Sequence, residues 1–182
     1  MKNIALFGGS FDPVHLGHTA IVDALKSLDF IDEIVIMPTY LNPLKSGFTA
    51  DAKTRLQWLM ELYENDPKVK VSLYEVKQNK KVATIDTVKH LMEDGKKIYL
   101  VIGADSLRSL NKWHKYDKLK KLVTLIVAAR DGICVANDLM VLPIDKDISS
   151  TRLRQKIDPD LLPPKIAKKI EKFYKEHNAK QN

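Results

Sequence analysis

The sequence predicts an α/β protein with a doubly wound parallel sheet, helices on both faces and a small helical appendage at its C-terminal end. Three observations lead to this prediction. Short apolar runs alternate along the chain with segments of helical periodicity. The runs are apolar throughout, which is typical of strands buried on both faces of a parallel sheet. The first run ends in a glycine pair that leads into a helix, a common ligand-binding position in such sheets.

The first part of the chain supplies two strand-helix units and a third strand. Residues 2–7 are an apolar strand ending at the glycine pair, and residues 16–28 carry apolar side chains at helical spacing. Residues 33–37 form a continuous apolar strand that a proline closes. Residues 52–63 place leucine, methionine and tyrosine on one helical face, and residues 69–74 predict the third strand.

The second part continues the alternation. Residues 84–92 predict a helix, and residues 98–102 are the most strongly apolar strand. A helix over residues 116–121 and a buried strand over residues 122–128 follow. Because parallel strands joined by helices require right-handed crossovers, the arrangement is Rossmann-like. Residues 41–50 lack periodicity and contain Asn-Pro and glycine, so they predict a mobile loop that we hypothesise to be a lid.

The length of 182 residues suits a single domain over residues 1–182. Residues 1–145 are expected to form the sheet core and residues 148–182 a C-terminal helical part. Within that part, residues 163–182 predict an amphipathic helix that docks on the body. Its apolar face consists of Ile166, Ile170, Phe173 and Tyr174.

Charge and composition limit the partners. The net charge is +7, and residues 163–182 supply +4 of it through six lysines and two glutamates. A solvated basic helix face is favoured over an RNA-binding arm, so no nucleic-acid partner is expected. One cysteine, Cys134, excludes a disulfide framework, and no apolar run is long enough for a signal peptide or membrane span. We therefore expect a cytoplasmic protein that binds no membrane.

The turn after the first strand, residues 8–18, contains three glycines, a proline and two histidines. Glycines let a ligand approach the backbone, and the free N–H groups of a helix start favour an anion such as phosphate. His15 and His18, three residues apart, can direct N–H groups at the same oxygens without acting as bases. Helix capping by these residues is the alternative.

Other ligand-binding motifs are excluded by spacing. The turn has neither GxxxxGK nor GxGxxG, which disfavours a kinase and an ordinary dehydrogenase. Without an HExxH spacing or further ligands, no metal site is expected at the two histidines.

This turn resembles GG(S/T)FDPxHxGH, the first turn of the bacterial nicotinate-nucleotide adenylyltransferases, which belong to the HxGH nucleotidyltransferase superfamily. Related pantetheine-phosphate adenylyltransferases and glycerol-phosphate cytidylyltransferases share HxGH but differ around it. Four further blocks resemble the family in order: residues 38–45, 83–87, 102–107 with Trp113 downstream, and 148–154. One departure is Leu44, where the family loop usually has histidine before lysine.

The resemblance implies that the chain transfers the adenylyl group of ATP to nicotinate mononucleotide, releasing pyrophosphate, in NAD biosynthesis. It implies four catalytic residues: His15, His18, Lys45 and Arg154. The implied ATP-binding residues are Gly8, Gly9, Ser10, Phe11, His15, His18, Gly103, Asp105, Ser150, Thr151 and Arg154. The implied mononucleotide-binding residues are Thr84, Asp105, Trp113 and Lys45.

Magnesium is implied as a cofactor held mainly by the ATP phosphates, and a monomer or small homo-oligomer is expected. Without the resemblance, Trp113 is more typical of a core residue and Asp105 of a helix N-cap. For Ser149, capping alone and a part in phosphate binding are equally favoured. Arg55, near a helix start, is interpreted as a surface ion-pair residue. Two alternative functions stay open: the same chemistry on another acceptor, such as phosphopantetheine, nicotinamide mononucleotide or a CTP-dependent sugar phosphate, and a non-catalytic RNA- or nucleotide-binding protein that uses its basic tail.

Overall fold

The computed structural model describes residues 1–93, 95–129, 139–144, 146 and 148–180. Cys134 lies outside these residues.

The described residues form a six-stranded sheet in which every neighbouring pair of strands is parallel. The order is β3-β2-β1-β4-β5-β6, which is a doubly wound order, so the predicted fold class is confirmed. The strands are β1 (Asn3–Gly9), β2 (Glu33–Pro38), β3 (Val69–Val71), β4 (Lys97–Gly103), β5 (Val123–Ala129) and β6 (Met140–Pro143).

Helices connect the strands and complete the C-terminal part. They are α1 (Leu16–Lys26), α2 (Ala52–Tyr63), α3 (Tyr74–Lys77), α4 (Thr84–Met92), α5 (Ala104–Leu107), α6 (Tyr116–Leu122), α7 (Ser150–Gln155) and α8 (Ala167–Ala179). None of the helices in the described residues combines the length and apolar character that crossing a bilayer requires.

The third strand is shorter than predicted. The sequence predicts a strand to residue 74, but β3 ends at Val71 and α3 begins at Tyr74. The Ser72 amide donates to the Ile36 carbonyl, and the Ser72 hydroxyl then accepts from the Tyr74 amide. A serine hydroxyl that satisfies a nearby backbone N–H turns the chain here. Neither α3 nor the edge strand β6 was predicted from the sequence.

The sheet separates two apolar clusters, and residues of β1 alternate between them. Ala5 and Phe7 pack with α1, α2 and α8, whereas Ile4 and Leu6 pack with α4 and α6. A parallel strand with this alternation has both faces covered. The predicted helices on both faces are therefore confirmed.

The basic C-terminal segment is a docked helix, as predicted. Ile170 and Tyr174 of α8 are fully buried in the cluster that also contains α1 and α2. Lys165 and Lys169 pair with Glu64 and Glu61 at 2.7 and 2.6 Å. Part of the tail's positive charge is thus paired with the body.

The strand order reverses between β1 and β4. These two strands are neighbours, and their carboxyl ends lie at Gly9 and Gly103. Ligands of doubly wound sheets bind at such a switch point. The turn containing the two histidines therefore lies where the fold favours a site.

Candidate active site

The turn between β1 and α1 is shaped by a buried phenylalanine. Phe11 has a left-handed backbone with φ of 50° and is 1% exposed. Its ring packs edge-on against Phe7 and His18, with centroids at 5.4 and 4.9 Å. A Cβ on Gly9 would lie 3.0 Å from this ring, so the second glycine gives Phe11 its space.

The two histidines form a stacked pair at the start of α1. Their ring centroids are 3.8 Å apart with an interplanar angle of 27°. The Gly17 amide donates to His15 Nδ1, and the His15 amide donates to His18 Nδ1, both at 3.2 Å. A Cβ on Gly17 would lie 3.0 Å from His15 Cε1, which explains the glycine between the histidines.

These hydrogen bonds fix the tautomer of both rings. A neutral imidazole whose Nδ1 accepts a hydrogen bond carries its proton on Nε2. The hydrogen bonds that the two rings make within the described residues use Nδ1, so both Nε2–H donors are available to a ligand. The capping alternative is therefore correct for Nδ1, while Nε2 keeps a donor for an anion.

Burial keeps the pair neutral. It lowers the pKa of His15 to about 4. It also lowers the pKa of His18 well below its usual value, with smaller contributions from the charges of His15 and Lys45. Both rings are therefore neutral hydrogen-bond donors at neutral pH, as the sequence interpretation requires.

Asp12 connects this turn with the loop of residues 41–50. Its carboxylate is 4% exposed and accepts from the Thr49 and Ala50 amides, each at 2.9 Å. It also accepts a hydrogen bond from the Tyr174 hydroxyl of α8. Sequence analysis assigned no role to Asp12 or Tyr174 beyond the motif and the apolar helix face.

The expectation for Arg55 is wrong. Its side chain is not on the surface but 1% exposed. It donates to the carbonyls of Ser10, Tyr40 and Ala50, the latter two at 2.9 Å. The sequence did contain a sign of this burial. Arg55 lies at helical spacing from Ala52 and Leu59, on the inner face of α2.

A cavity of about 270 Å³ opens beside this network. Three cationic side chains line it: Lys45, Arg55 and Arg154. The other lining residues are Ser10, Asp12, Thr39, Leu41, Asn42, Ser46, Gly47, Phe48 and Thr49. The cavity is thus positively charged and suited to a polyanion.

Lys45 and Arg154 both contact the turn that contains the two histidines, although they lie far apart in the chain. Lys45 Nζ donates to the Ser10 hydroxyl at 3.3 Å, and Arg154 Nη1 donates to the Asp12 carbonyl at 2.6 Å. Burial first, and then the charge of Arg154, lower the pKa of Lys45. The structure therefore brings together the predicted residues Ser10, Lys45 and Arg154.

The serines and the threonine at the start of α7 hold Arg154 beside the histidine turn. Ser149 is the N-cap, and its hydroxyl accepts from the Arg152 amide. The Ser150 hydroxyl donates to the Pro13 carbonyl, and Arg154 Nη2 donates to the Thr151 hydroxyl, both at 3.1 Å. These contacts hold α7 on the histidine turn, and phosphate binding by Ser150 and Thr151 stays a prediction.

Of the predicted mononucleotide-binding residues, Lys45 lines the cavity, whereas Thr84 and Trp113 lie elsewhere. Thr84 is the first residue of α4, and Trp113 is half-buried against the apolar cluster on the opposite sheet face. Gly103, not Asp105, is the N-cap of α5, and the Asp105 side chain lies outside the described residues. Neither Thr84 nor Trp113 lines the cavity described above.

A buried acid lies close to the α4 motif. Glu75 of α3 is 5% exposed and accepts from the Thr87 hydroxyl at 2.6 Å, while its Oε2 has no partner among the described residues. Burial raises the pKa of Glu75 to about 7. Sequence analysis missed this residue, because a glutamate in a short polar segment gives no sign of burial.

Comparison with known proteins gives matches along the whole chain. The model of the cytidylyltransferase-like family matches residues 6–156. A "probable nicotinate-nucleotide adenylyltransferase" from Sulfurimonas denitrificans is 54% identical over 180 residues, covering 99% of both chains. A protein with the same description from Campylobacter fetus is 46% identical over 180 residues, covering 98% of this chain and 99% of its own.

Solved structures share the fold. Nicotinic acid mononucleotide adenylyltransferase from Plasmodium falciparum, complexed with NaAD, superposes with a TM-score of 0.76 at 21% identity. The match covers 98% of this chain and 97% of that one.

Proposed function

The chain belongs to the nicotinate-nucleotide adenylyltransferases of the cytidylyltransferase-like family, and from this we propose that it joins nicotinate mononucleotide to the adenylyl group of ATP. The products are nicotinate adenine dinucleotide and pyrophosphate, and the reaction serves NAD biosynthesis.

One observation of the site supports this proposal above the others. Two neutral histidines, each with its Nε2–H available, stand at a helix start beside a cavity lined by Lys45, Arg55 and Arg154. Neutral donors and fixed cations suit a triphosphate, whose charge they bind without proton exchange. Nothing in this set requires a nucleophilic side chain.

In the proposed reaction, a phosphate oxygen of nicotinate mononucleotide attacks the α-phosphorus of ATP in line. A new P–O–P bond forms, the bond from the α-phosphorus to the bridging oxygen breaks, and pyrophosphate leaves. A phosphate dianion is already a nucleophile, so catalysis depends on positioning two polyanions and stabilising charge on the leaving group.

The side chains divide this work by position. His18, with His15 stacked on it, would donate to the α-phosphate, and Gly8, Gly9, Ser10 and Phe11 would offer backbone groups beside it. Lys45 and Arg154 would neutralise the β- and γ-phosphates that become pyrophosphate, with Ser150 and Thr151 next to Arg154. Gly103 and Asp105, at the adjacent strand end, would contact ATP, and Asp105 would also accept from a ribose hydroxyl of the mononucleotide.

Magnesium would enter with ATP. Asp12 is the acidic side chain that lines the cavity, and its oxygens already accept from the Thr49 and Ala50 amides and the Tyr174 hydroxyl. Among the described residues, no group of three or more His, Cys, Asp and Glu side chains could hold a metal ion. The phosphates and water would therefore supply its ligands.

The nicotinate ring would bind at the start of α4. The residue before α4, Ala83, has no side-chain oxygen to cap the helix, so first-turn N–H groups are available to the nicotinate carboxylate. Thr84 would add its hydroxyl, and Trp113 would stack on the positively charged ring.

The direct test is pyrophosphate release with ATP, magnesium and one acceptor. We expect turnover with nicotinate mononucleotide to exceed turnover with nicotinamide mononucleotide, and none with phosphopantetheine. Turnover only with another acceptor would contradict the substrate while keeping the chemistry. Absence of turnover, with salt-dependent RNA binding lost on removing residues 163–182, would instead favour a binding protein.

A further inference from the structure

We propose that the C-terminal helix α8 is part of the phosphate site, and that Tyr174 is a positioning residue acting through Asp12. The inference rests on the proposed function for its activity readout. It does not require Tyr174 to touch a substrate.

Asp12 joins three separate segments in the protein interior. Asp12 is 4% exposed and Tyr174 is fully buried. The Tyr174 hydroxyl donates to Oδ1 of Asp12, the same oxygen that accepts from the Ala50 amide, while Oδ2 accepts from the Thr49 amide. A buried carboxylate needs such donors, so the position of Asp12 depends on all of them.

The segments joined at Asp12 carry the cations of the cavity. The Asp12 carbonyl accepts from Arg154 at 2.6 Å. Thr49 and Ala50 end the loop that contains Lys45, and Lys45 contacts Ser10, two residues before Asp12. A shift of Asp12 would therefore move both Lys45 and Arg154 relative to the histidines.

Tyr174 is suited to this role because it remains a donor. Burial, and then the charge of Asp12, raise the pKa of Tyr174 above its ordinary value. Its hydroxyl thus keeps its proton at neutral pH.

A second contact links α8 to the same site. The Asn178 side chain, one helical turn after Tyr174, donates to the Arg154 carbonyl at 3.0 Å. Helix α8 therefore contacts both sides of the pair formed by Asp12 and Arg154. Packing alone would require neither hydrogen bond.

The chain offers a matched control in Tyr63. It is also a buried tyrosine of the same apolar cluster, but its hydroxyl has no partner among the described residues. Tyr174→Phe and Tyr63→Phe each remove one buried oxygen and keep the ring. They differ in whether Asp12 loses a donor.

We expect Tyr174→Phe to raise the KM for ATP roughly three- to tenfold, the effect of losing one ordinary hydrogen bond, because Tyr174 acts on ATP only through Asp12. The KM for nicotinate mononucleotide should change less than about twofold. Amide exchange at Thr49 and Ala50 should become faster. Tyr63→Phe should alter none of these values, and equal values in the two variants would overturn the inference.

Calorimetric binding of ATP alone separates this inference from the proposed function. If the wild type does not turn over nicotinate mononucleotide, the proposed acceptor is wrong. Equal ATP affinity of the two phenylalanine variants would overturn the role of Tyr174 in either case. If Tyr174→Phe does not fold, Asn178→Ala is compared with Lys175→Ala, and equal ATP affinity of that pair would overturn the inference.

Discussion

The two halves of the candidate site differ in how firmly the protein holds them. On the phosphate side, Asp12 and Arg55 are buried and hydrogen-bonded to several segments around a charged cavity. On the proposed mononucleotide side, Thr84 and Trp113 are half-buried, and Trp113 packs against the apolar cluster on the opposite face of the sheet. The proposed phosphate side is therefore the more firmly held of the two.

The chemistry of the proposed ligands explains the difference between the two sides. A triphosphate carries most of its recognition in charge, and fixed donors and cations bind charge best when they need no rearrangement. A pyridine ring is recognised by stacking and one carboxylate, which need a surface and a helix start. Removing a single side chain should therefore lower activity strongly on the phosphate side and less on the mononucleotide side.

The largest effect is expected for His18→Ala. Losing one charge-stabilising donor should lower kcat by ~10²- to 10³-fold. Because His18 Nδ1 also accepts from the His15 amide, the circular dichroism spectrum must show that the fold is retained. Exposed His114 supplies the control, and His114→Ala should keep wild-type turnover. A His18→Ala enzyme with wild-type kcat would contradict the mechanism.

The next largest effect is expected for Glu75, the buried acid that accepts a hydrogen bond from Thr87 of α4. Because its pKa is raised to about 7 when folded, the folded protein binds more protons than the unfolded chain between about pH 4.5 and 7. The stability of the wild type relative to Glu75→Gln should be greatest below this window. This stability difference should fall by something on the order of 3 kcal/mol as the pH rises through the window, and should stay constant above pH 7.

Urea denaturation of both proteins from pH 4 to 8 measures this difference. The amide introduced by Glu75→Gln keeps an oxygen to accept from Thr87, so packing is nearly unchanged. Asp86→Asn, an exposed change in α4 next to Thr87, is the control and should not reproduce the pH-dependent difference of Glu75→Gln. Parallel curves for wild type and Glu75→Gln would show that Glu75 does not titrate in this window.

A smaller effect is expected at Trp113. Trp113→Ala should raise the KM for nicotinate mononucleotide about tenfold by removing a stacking surface, while Trp113→Phe should retain most of the affinity. The KM for ATP should not change in either variant. If both KM values rose together, Trp113 would be a packing residue, as its contact with the apolar cluster also allows.

The sequence predicted the sheet well because its evidence is local. Apolar runs and helical periodicity record burial directly, so β1, β2 and β4 were found close to their observed bounds. Predicted groups such as Lys45 and Arg154 were likewise brought to one turn. Both residues belong to sequence motifs, so the order of residues in the chain already indicates their chemistry.

The supporting network could not be predicted in the same way. Arg55 and Tyr174 act through partners that are distant in the chain, such as Ser10 and Asp12. Polar residues on a helix are usually exposed, so a surface position was expected for Arg55 despite its spacing, whereas Tyr174 was placed on the apolar face of its helix without a polar partner. The hydrogen-bond partners of both residues follow only from the way in which α2 and α8 pack on the sheet.

The smallest effect is expected where this chain departs from its family. Leu44 is 57% exposed, and its amide donates to the Asn42 side chain at 2.9 Å, so the loop backbone is held without the Leu44 side chain. Leu44→His would place a titrating ring beside Lys45 at the edge of the cavity. Exposed charges contribute little, so kcat/KM for ATP should rise less than about threefold, and more at pH 6 than at pH 8. Leu44→Gln adds polarity without titration and should show no such pH dependence. If the two variants behaved alike at both pH values, a charge at position 44 would have no part in binding phosphate. The positive charge of the cavity would then come from the three cationic side chains that line it, Lys45, Arg55 and Arg154.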